Sequence, residues 1–288
     1  MTFVIKIYFE ILKFYNFGMV YETKIKTIFM RHFFIFFSLI IPFLISAQNQ
    51  AVGNNEKLVF TASYNMSGIL NDLAQVSMET NTVKTSSSTL LHLKCTATTY
   101  SKWDSFFKIR DLYESYVSPT SMTPYLYKRD INEGGYYKYM EYKYDQKKHT
   151  ASSLKKKRRK DGTFWEEKKN LTIDANTKDL VATLYKLRTL DFTKAPKGKS
   201  KTLSVLFDNQ EHLVTFTFLG TETITTAIGK KDCYKLAIAI STSDVLKGNN
   251  DNLLWLTADD NKIPVYAKFK IAIGTGELRI QSASGLKN

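Results

Sequence analysis

Runs of alternating apolar and polar residues recur from residue 56 to residue 282, and this period of two constrains the fold more than any other feature. The runs are short and rich in Val, Ile, Thr, Phe and Tyr, and turn residues such as Glu133-Gly134-Gly135 separate them. The predicted strands are Glu56 to Met66, Leu90 to Tyr100, Phe106 to Val117, Tyr125 to Asn132, Tyr136 to Asp145, Thr202 to Phe207, Leu213 to Leu219, Asp232 to Ser241, Leu253 to Thr257, Ile263 to Ile273 and Glu277 to Ser282. Because short links join strands antiparallel, the pattern predicts a mainly β protein.

One segment, residues 177–190, has helical spacing instead. Its apolar stripe consists of Leu180, Val181, Leu184 and Leu187. Asn176 is the predicted N-cap, and Asp179 lies where an acid favours the helix dipole. A lone helix must bury such a stripe. We therefore predict a strongly bent antiparallel sheet, a half-barrel or open barrel, packed around this helix.

The N-terminal part of the chain has the features of a secretory leader. Arg31 and His32 precede an apolar run, Phe33 to Ile45, that is shorter than the roughly 20 residues of a membrane-spanning helix. Small residues follow, which predicts cleavage near Ala47-Gln48. An uncleaved membrane anchor is the alternative interpretation.

These features predict three parts of the chain. Residues 1–29 are interpreted as a spurious upstream extension, with a genuine extension as the alternative, and residues 30–47 as the signal peptide. Residues 48–288 are predicted to be a single β-rich exported domain without a transmembrane span, periplasmic or associated with the outer membrane. Its two cysteines, Cys95 and Cys233, either form one disulfide or remain buried thiols.

The charge of the chain is uneven. The 47 residues before the predicted cleavage carry 5 basic and 2 acidic residues, so the remainder carries 36 and 25, a net charge of +11. The densest basic run consists of Lys155, Lys156, Lys157, Arg158, Arg159 and Lys160. It ends at the turn signal Asp161-Gly162, and its ordinary interpretation is a solvated hairpin tip. The functional interpretation is contact with an anionic envelope surface, because an exported protein meets little nucleic acid.

The sequence contains no recognised catalytic motif. HExxH, paired CxxC, GxSxG and Walker-type loops are all absent from it. Residue His92 lies in a strand pattern and is interpreted as solvent-facing or hydrogen-bonded there. We therefore predict no cofactor and no metal site, and we name no catalytic residue.

A candidate ligand-binding site comes from charged residues inside strand patterns. If the strands around residues 106–145 form a meander, Arg110, Glu114 and Arg129 are expected to converge across one face of the sheet. Tyr137 and Tyr139, from a tyrosine-rich strand, would add amphipathic contacts. Ordinary cross-strand ion pairs on a wet face are the alternative.

Several segments together resemble the domain-of-unknown-function family 3108, exported proteins common in Bacteroidetes. They are FFKIRDLYESYV from Phe106, PYLYKRDINEGGYYKYMEYKYD from Pro124, DLVATLYKLRTLDF from Asp179, ETITTAIGKKDCYKLAI from Glu222 and LLWLTADDNKIPVYAKFKIAIGTGELRI from Leu253. The resemblance implies a bent antiparallel sheet around a helix in the cell envelope. It implies no established activity, so no catalytic residues carry over. The run Lys155 to Arg159 departs from the expected shorter, less basic connection.

Three functions remain open from the sequence. The first, which we predict, is a non-enzymatic module that holds a lipid-like or amphiphilic small molecule in the hollow of the sheet. The second is a structural or interaction protein with a filled interior, and the third is a hydrolase of envelope glycans. An apolar cavity of several hundred Å³ would favour the first, and a helix packed tightly against the sheet would favour the second. The hydrolase requires an acid such as Glu114 or Asp111 in an open cleft beside a second carboxylate. The sequence leaves the oligomeric state unknown.

Overall fold

A computed structural model describes residue 49 and residues 51–66, 69–240, 251–270 and 274–288. The interpreted upstream extension (1–29), the signal peptide (30–47) and its cleavage site lie outside the described residues. Within the described part, Asn49–Asn288 form one compact unit. The assignment of 48–288 as a single exported domain stays a prediction.

Fourteen strands and one α-helix make up the described part of the chain. The strands are β1 Lys57–Met66, β2 Ile69–Lys84, β3 Thr89–Thr99, β4 Arg110–Val117, β5 Pro124–Glu133, β6 Tyr136–Asp145, β7 Thr150–Arg158, β8 Phe164–Thr172, β9 Ser200–Phe207, β10 Gln210–Thr226, β11 Gly229–Ile240, β12 Leu253–Thr257, β13 Pro264–Lys270 and β14 Thr275–Ser284. The helix, α1, is Leu180–Arg188, and a 3₁₀ turn covers Ser101–Trp103.

All strands belong to one sheet in the order β8-β7-β6-β5-β4-β3-β2-β1-β14-β13-β12-β11-β10-β9, and every neighbouring pair is antiparallel. The chain thus forms two meanders that join where β1 pairs with β14. The two edges, β8 and β9, flank the helix in sequence and do not pair, so the sheet is not closed. This architecture confirms the predicted mainly β fold with one helix.

The sequence does not predict three of the strands, β2, β7 and β8. Strand β7 reads TASSLKKKR and β8 reads FWEEKKNLT, so charge hides the alternation that burial would otherwise produce. At the start of β4 the prediction extends too far, because a loop precedes Arg110. Of the two alternatives for the cysteines, the disulfide is not formed, because Cys95 and Cys233 are both free thiols.

Helix α1 is shorter than predicted and turned relative to the expected stripe. Asp179, not Asn176, is its N-cap, and its Oδ1 accepts a hydrogen bond from the Ala182 backbone N–H at 2.8 Å. Leu180 remains 38% exposed. The buried residues are Val181, Ala182, Thr183, Tyr185, Leu187 and Arg188. They pack against β3, β4 and β9, so the helix lies on the inner face of the bent sheet.

The C-terminal end of the helix is fixed by a buried ion pair. The guanidinium of Arg188 donates to both carboxylate oxygens of Glu56, at 2.6 and 2.7 Å. It also donates to the carbonyls of Ala51 and Asn261, at 3.0 and 3.1 Å. Arg188 therefore joins the helix to the segment before β1 and to the β12–β13 turn.

Candidate functional site

The predicted ligand-binding residues lie on two opposite faces of the sheet. Strands β4, β5 and β6 do form a meander, but Arg129 is directly opposite Tyr113, whereas Glu114 is opposite Lys128. Because side chains alternate along a strand, Arg129 points inward and Arg110 and Glu114 point outward. The structure therefore does not bring these three residues together on one face.

On the outer face, the predicted residues make local contacts. Arg110 Nη2 lies 2.5 Å from Asp104 Oδ2. Glu114 Oε1 is 2.8 Å from Nε2 of His92, which confirms the interpretation of that histidine as hydrogen-bonded in its strand. These are the cross-strand and near-strand pairs that a wet sheet face usually carries.

Tyr137 and Tyr139 also lie on the outer face. The Tyr137 ring packs edge-on against Phe164, with ring centroids 5.6 Å apart, and the Tyr139 hydroxyl donates to Glu141 Oε2 at 3.0 Å. Neither tyrosine faces Arg129. The five predicted residues therefore form two separate groups, one of four on the outer face and one of a single residue on the inner face.

Arg129 binds a carboxylate of its own chain. Asp208, in the β9–β10 turn, accepts hydrogen bonds from Arg129 Nη2 and from Lys138 Nζ, the latter at 2.5 Å. The Arg129 guanidinium also lies over the Phe207 ring, 4.3 Å from its centroid. Arg129, which the sequence predicts to bind a ligand, therefore binds a carboxylate of the β9–β10 turn.

The same turn is held by two further side chains. The Asn209 backbone N–H donates to the Tyr142 hydroxyl at 2.9 Å, and Ser153 Oγ donates to Asn209 Oδ1 at 2.6 Å. Asp208 and Asn209 have φ of 49° and 70°, as a two-residue hairpin turn requires. Strands β5, β6 and β7 therefore hold the tip of the β9–β10 hairpin. The sequence identifies the turn but gives no signal of what it contacts.

Positive charge exceeds negative charge around Asp208. Burial raises the pKa of Asp208, but the hydrogen bond from Lys138 and the charge of Arg129 outweigh it and hold that pKa below its ordinary value. Burial lowers the pKa of Lys138, and the nearby charges of Arg129 and Lys155 contribute. Lys155 and Lys157 share this inner face, because they lie opposite Met140 and Lys138.

The basic run is divided between the two faces. Lys155, Lys156, Lys157 and Arg158 belong to β7 rather than to a hairpin tip, so alternate side chains point to opposite sides. Lys156 lies outward, 3.0 Å from Glu166. Only Arg159 and Lys160 lie in the turn, beyond the strand. The six residues do not form one continuous basic surface, because the strand geometry separates them.

Buried polar groups lie along the helix, from its N-cap to its second half. Ser115 Oγ donates to Asp179 Oδ2 at 2.6 Å, and burial raises the pKa of Asp179 to about 6. The hydroxyls of Tyr127, Tyr144 and Tyr185 are buried and have no hydrogen-bond partner within the described part. Buried polar atoms of this kind often mark a site for internal water or another polar guest.

Asp111, one of the two acids that the hydrolase hypothesis names, is buried and bonded to the backbone. Asp111 Oδ1 accepts from the Asn132 backbone N–H at 3.0 Å. Burial raises the pKa of Asp111 to about 6, and the charge of Glu133 contributes. Asp111 itself is buried rather than in an open cleft. Glu114 lies on the other face, so the two acids do not form a pair.

Two cavities lie away from the helix. One, of about 410 Å³, is on the outer face of β6, β7 and β8 and is lined by polar residues such as Glu141, Ser152 and Lys168. The other, of about 550 Å³, lies between the end of the β10–β11 hairpin and strands β13 and β14, where Arg279 pairs with Asp72. Neither is an apolar hollow beneath the helix.

Two further observations concern metal ions and membranes. Across the described ranges, no group of three or more His, Cys, Asp or Glu side chains is arranged to hold a metal ion. The same residues include no helix with the length and apolar character needed to cross a bilayer.

Comparisons with known proteins give a family and a fold. The family described as "Protein of unknown function (DUF3108)" matches residues 59–281. A β-barrel-like protein of the domain of unknown function DUF1849 from Brucella abortus is 8% identical, with a TM-score of 0.51 over 81% of this chain and 99% of that one. A Bacteroides fragilis protein with a YmcC-like fold is 8% identical, with a TM-score of 0.34 over 81% and 97%. No curated protein matches the chain.

Proposed function

Because the chain belongs to the DUF3108 family, whose description assigns no activity, we propose from its geometry that it is a non-enzymatic interaction protein of the cell envelope with a filled interior. It acts through its surface rather than by enclosing a substrate. The leader-like sequence at residues 30–47 supports export, to the periplasm or the outer membrane. The net charge of +11 after residue 47 supports contact with anionic envelope material.

The observation that carries this proposal is the occupation of the inner face. Helix α1 buries Val181, Ala182 and Tyr185 completely or nearly so against the sheet. The β9–β10 turn covers the neighbouring region, where its exposed Asp208 contacts the buried side chains of Arg129 and Lys138. A carrier of amphiphiles needs an apolar cavity of roughly 300–1,000 Å³ in this place. The position of the helix and the turn on this face supports a filled interior.

A second candidate, the binding of a small amphiphilic molecule on the inner face, rests on a different observation. The buried hydroxyls of Tyr127, Tyr144 and Tyr185 and the Nε of Arg129 have no partner among the described atoms. A polar guest would satisfy them. Among the predicted anchors, only Arg129 faces such a guest. The outward group of Arg110, Glu114, Tyr137 and Tyr139 would serve a ligand on the opposite face.

Mass spectrometry under native conditions separates the two candidates. The protein is isolated from the periplasm of the cells that express it, and half of the sample is extracted with organic solvent and refolded. A filled interior predicts no stoichiometric guest and a melting temperature that extraction leaves unchanged. Recovery of one amphiphile per chain, with a lower melting temperature after its removal, would overturn the proposal in favour of the second candidate.

A further inference from the structure

The ends of the sheet differ in the residues that they expose. In an antiparallel meander successive turns alternate between two ends, so the connections after β1, β3, β5 and β7 all lie at one end. We call the side chains at these connections the apolar rim. Its apolar members are Ile69, Leu70, Phe106, Phe107, Tyr136 and Phe164.

The rim holds most of the exposed apolar groups of the described residues. Nine large apolar side chains are exposed in the described part of the chain, and six of them belong to the apolar rim. Phe106 is 90% exposed, Ile69 67% and Phe164 58%. Single exposed apolar residues are ordinary, but such a concentration at one end of a sheet marks an interaction surface.

The opposite end of the β1–β8 meander is polar. Its turns have the sequences TSSS from Thr85, SPTSMT from Ser118 and QKKH from Gln146. Met122, in the second of these turns, is buried, and Tyr125 at the start of β5 is exposed. Short turns occur at both ends, but only the rim has a long connection, that between β3 and β4, which carries Phe106 and Phe107.

Hydrogen bonds and a ring contact join the rim into one surface. Trp103 Nε1 donates to the Asp72 carbonyl at 2.7 Å, which joins the β3–β4 connection to β2. The Gly134 N–H donates to the Lys108 carbonyl at 2.7 Å, which joins that connection to the β5–β6 turn. The last step, from β6 to β8, is the contact between the rings of Tyr137 and Phe164. The exposed groups are therefore held in place together.

Basic residues lie at the β8 edge of the apolar rim. Arg158, Arg159 and Lys160 lie at the β7–β8 connection and are exposed. Arg158 Nη2 donates to the Gly135 carbonyl at 3.2 Å, so its charge lies beside the neighbouring turn. The acid of this connection, Asp161, accepts hydrogen bonds from Thr163 and stays ionised, so the three basic residues and this acid carry a net charge of +2. The charge available to a partner here is positive.

We propose that the apolar rim docks on the surface of an anionic phospholipid bilayer, with Phe106, Phe107 and Phe164 at the interface and Arg159 and Lys160 on lipid phosphates. Apolar and aromatic side chains next to Lys and Arg suit the boundary between head groups and acyl chains. This inference rests on the proposed function, and it specifies the envelope component that the protein contacts.

Sedimentation of the chain from residue 48 with vesicles tests the proposal. The vesicles contain phosphatidylglycerol and phosphatidylethanolamine, and phosphatidylcholine vesicles serve as the neutral comparison. Phe106→Ser with Phe164→Ser should weaken binding at least ten-fold. Arg159→Gln with Lys160→Gln should weaken it about ten- to thirty-fold at low salt, at roughly five-fold per basic residue, and much less at 0.5 M salt.

Matched controls come from the polar end. Tyr125→Ser removes an exposed aromatic side chain, and Lys147→Gln with Lys148→Gln removes the same charge as the basic rim variant. Both should bind within two-fold of the parent chain. Equal melting temperatures would show that the rim variants are folded, as their exposure predicts.

Three results would overturn the inference. They are absence of vesicle binding by the parent chain, equal losses in the polar-end controls, and self-association that the Phe106 and Phe164 changes abolish without any vesicle binding. Failure of the proposed function gives a different result. A stoichiometric guest found by mass spectrometry would refute the filled interior and leave the vesicle result unchanged. If the protein carries no guest and does not bind vesicles, only the proposed membrane contact of the apolar rim is refuted.

Discussion

Replacement of Arg188 by methionine should be among the most destabilising single changes in this protein. The side chain is fully buried and makes four hydrogen bonds, two to Glu56 and one each to the carbonyls of Ala51 and Asn261. Methionine fills a similar volume but leaves a buried carboxylate without a counter-charge. Removal of one partner of a buried ion pair usually costs about 3–5 kcal/mol. For a domain of this size that loss lowers the melting temperature by about 6–20 °C.

Urea unfolding, followed by far-ultraviolet circular dichroism, measures this loss. Arg110→Met is the matched control, because its partner Asp104 lies at the surface and such pairs contribute about 0–1 kcal/mol. The double variant Glu56→Leu with Arg188→Met removes both charges. It should recover a large part of the stability, since only the two carbonyls then lose a donor.

The reasoning fails if Arg188→Met and Arg110→Met destabilise the protein equally. It fails also if Glu56→Leu with Arg188→Met is as unstable as the sum of its single changes. Either outcome would mean that the Glu56–Arg188 pair, despite its burial, does not hold the helix to the segment before β1.

Three further predictions concern single positions. Burial raises the pKa of Asp179 to about 6, above the roughly 3.9 of an unfolded aspartate, so its contribution to stability is present below about pH 4 and is lost as the pH rises through 6. Asp179→Asn keeps an N-cap and should therefore raise the free energy of unfolding by about 2 kcal/mol at pH 7.5 but not at pH 3.5. Urea unfolding at both pH values measures this, and a difference between variant and parent that does not change with pH would contradict it. The pKa of Asp208 is lowered, so its contribution is present above about pH 4 and is lost in acid, and Asp208→Asn should cost about 1–2 kcal/mol in urea unfolding at pH 7 and little at pH 3. Gly274→Ala should lower the melting temperature far more than Gly134→Ala. Both glycines have positive φ, but of the two only Gly274 would place a Cβ 2.1 Å from a backbone oxygen, that of Asn65. Equal losses of melting temperature would count against this close approach.

The sequence and the structure agree where apolar burial leaves a period. Tyr136–Asp145 and Leu253–Thr257 are predicted to the residue, because each alternates or is buried throughout. Strands β7 and β8 are not predicted from the sequence, because they lie at the unpaired edge of the sheet and their inward positions include lysines. The helix is found, but its N-cap is misplaced by three residues. Asn176 and Asp179 are both good caps, and only packing against Ser115 distinguishes them.

The candidate site shows the limit of sequence reasoning more sharply. Whether Arg129 shares a face with Glu114 depends on the parity of their positions once the β4–β5 register is fixed, and the register comes from pairing. That Asp208 reaches Arg129 depends on the curvature of the sheet over many strands. No local pattern encodes a contact between residues 79 positions apart.

The sequence by itself determined the class of the fold, the antiparallel order of neighbouring strands and the presence of one helix, because side-chain periodicity and turn residues act over a few positions. Only the tertiary structure decided which face each charge occupies, that the basic run is divided, and that the exposed aromatic side chains gather at one end. These properties depend on register and curvature, which arise when distant strands pair and the helix is buried.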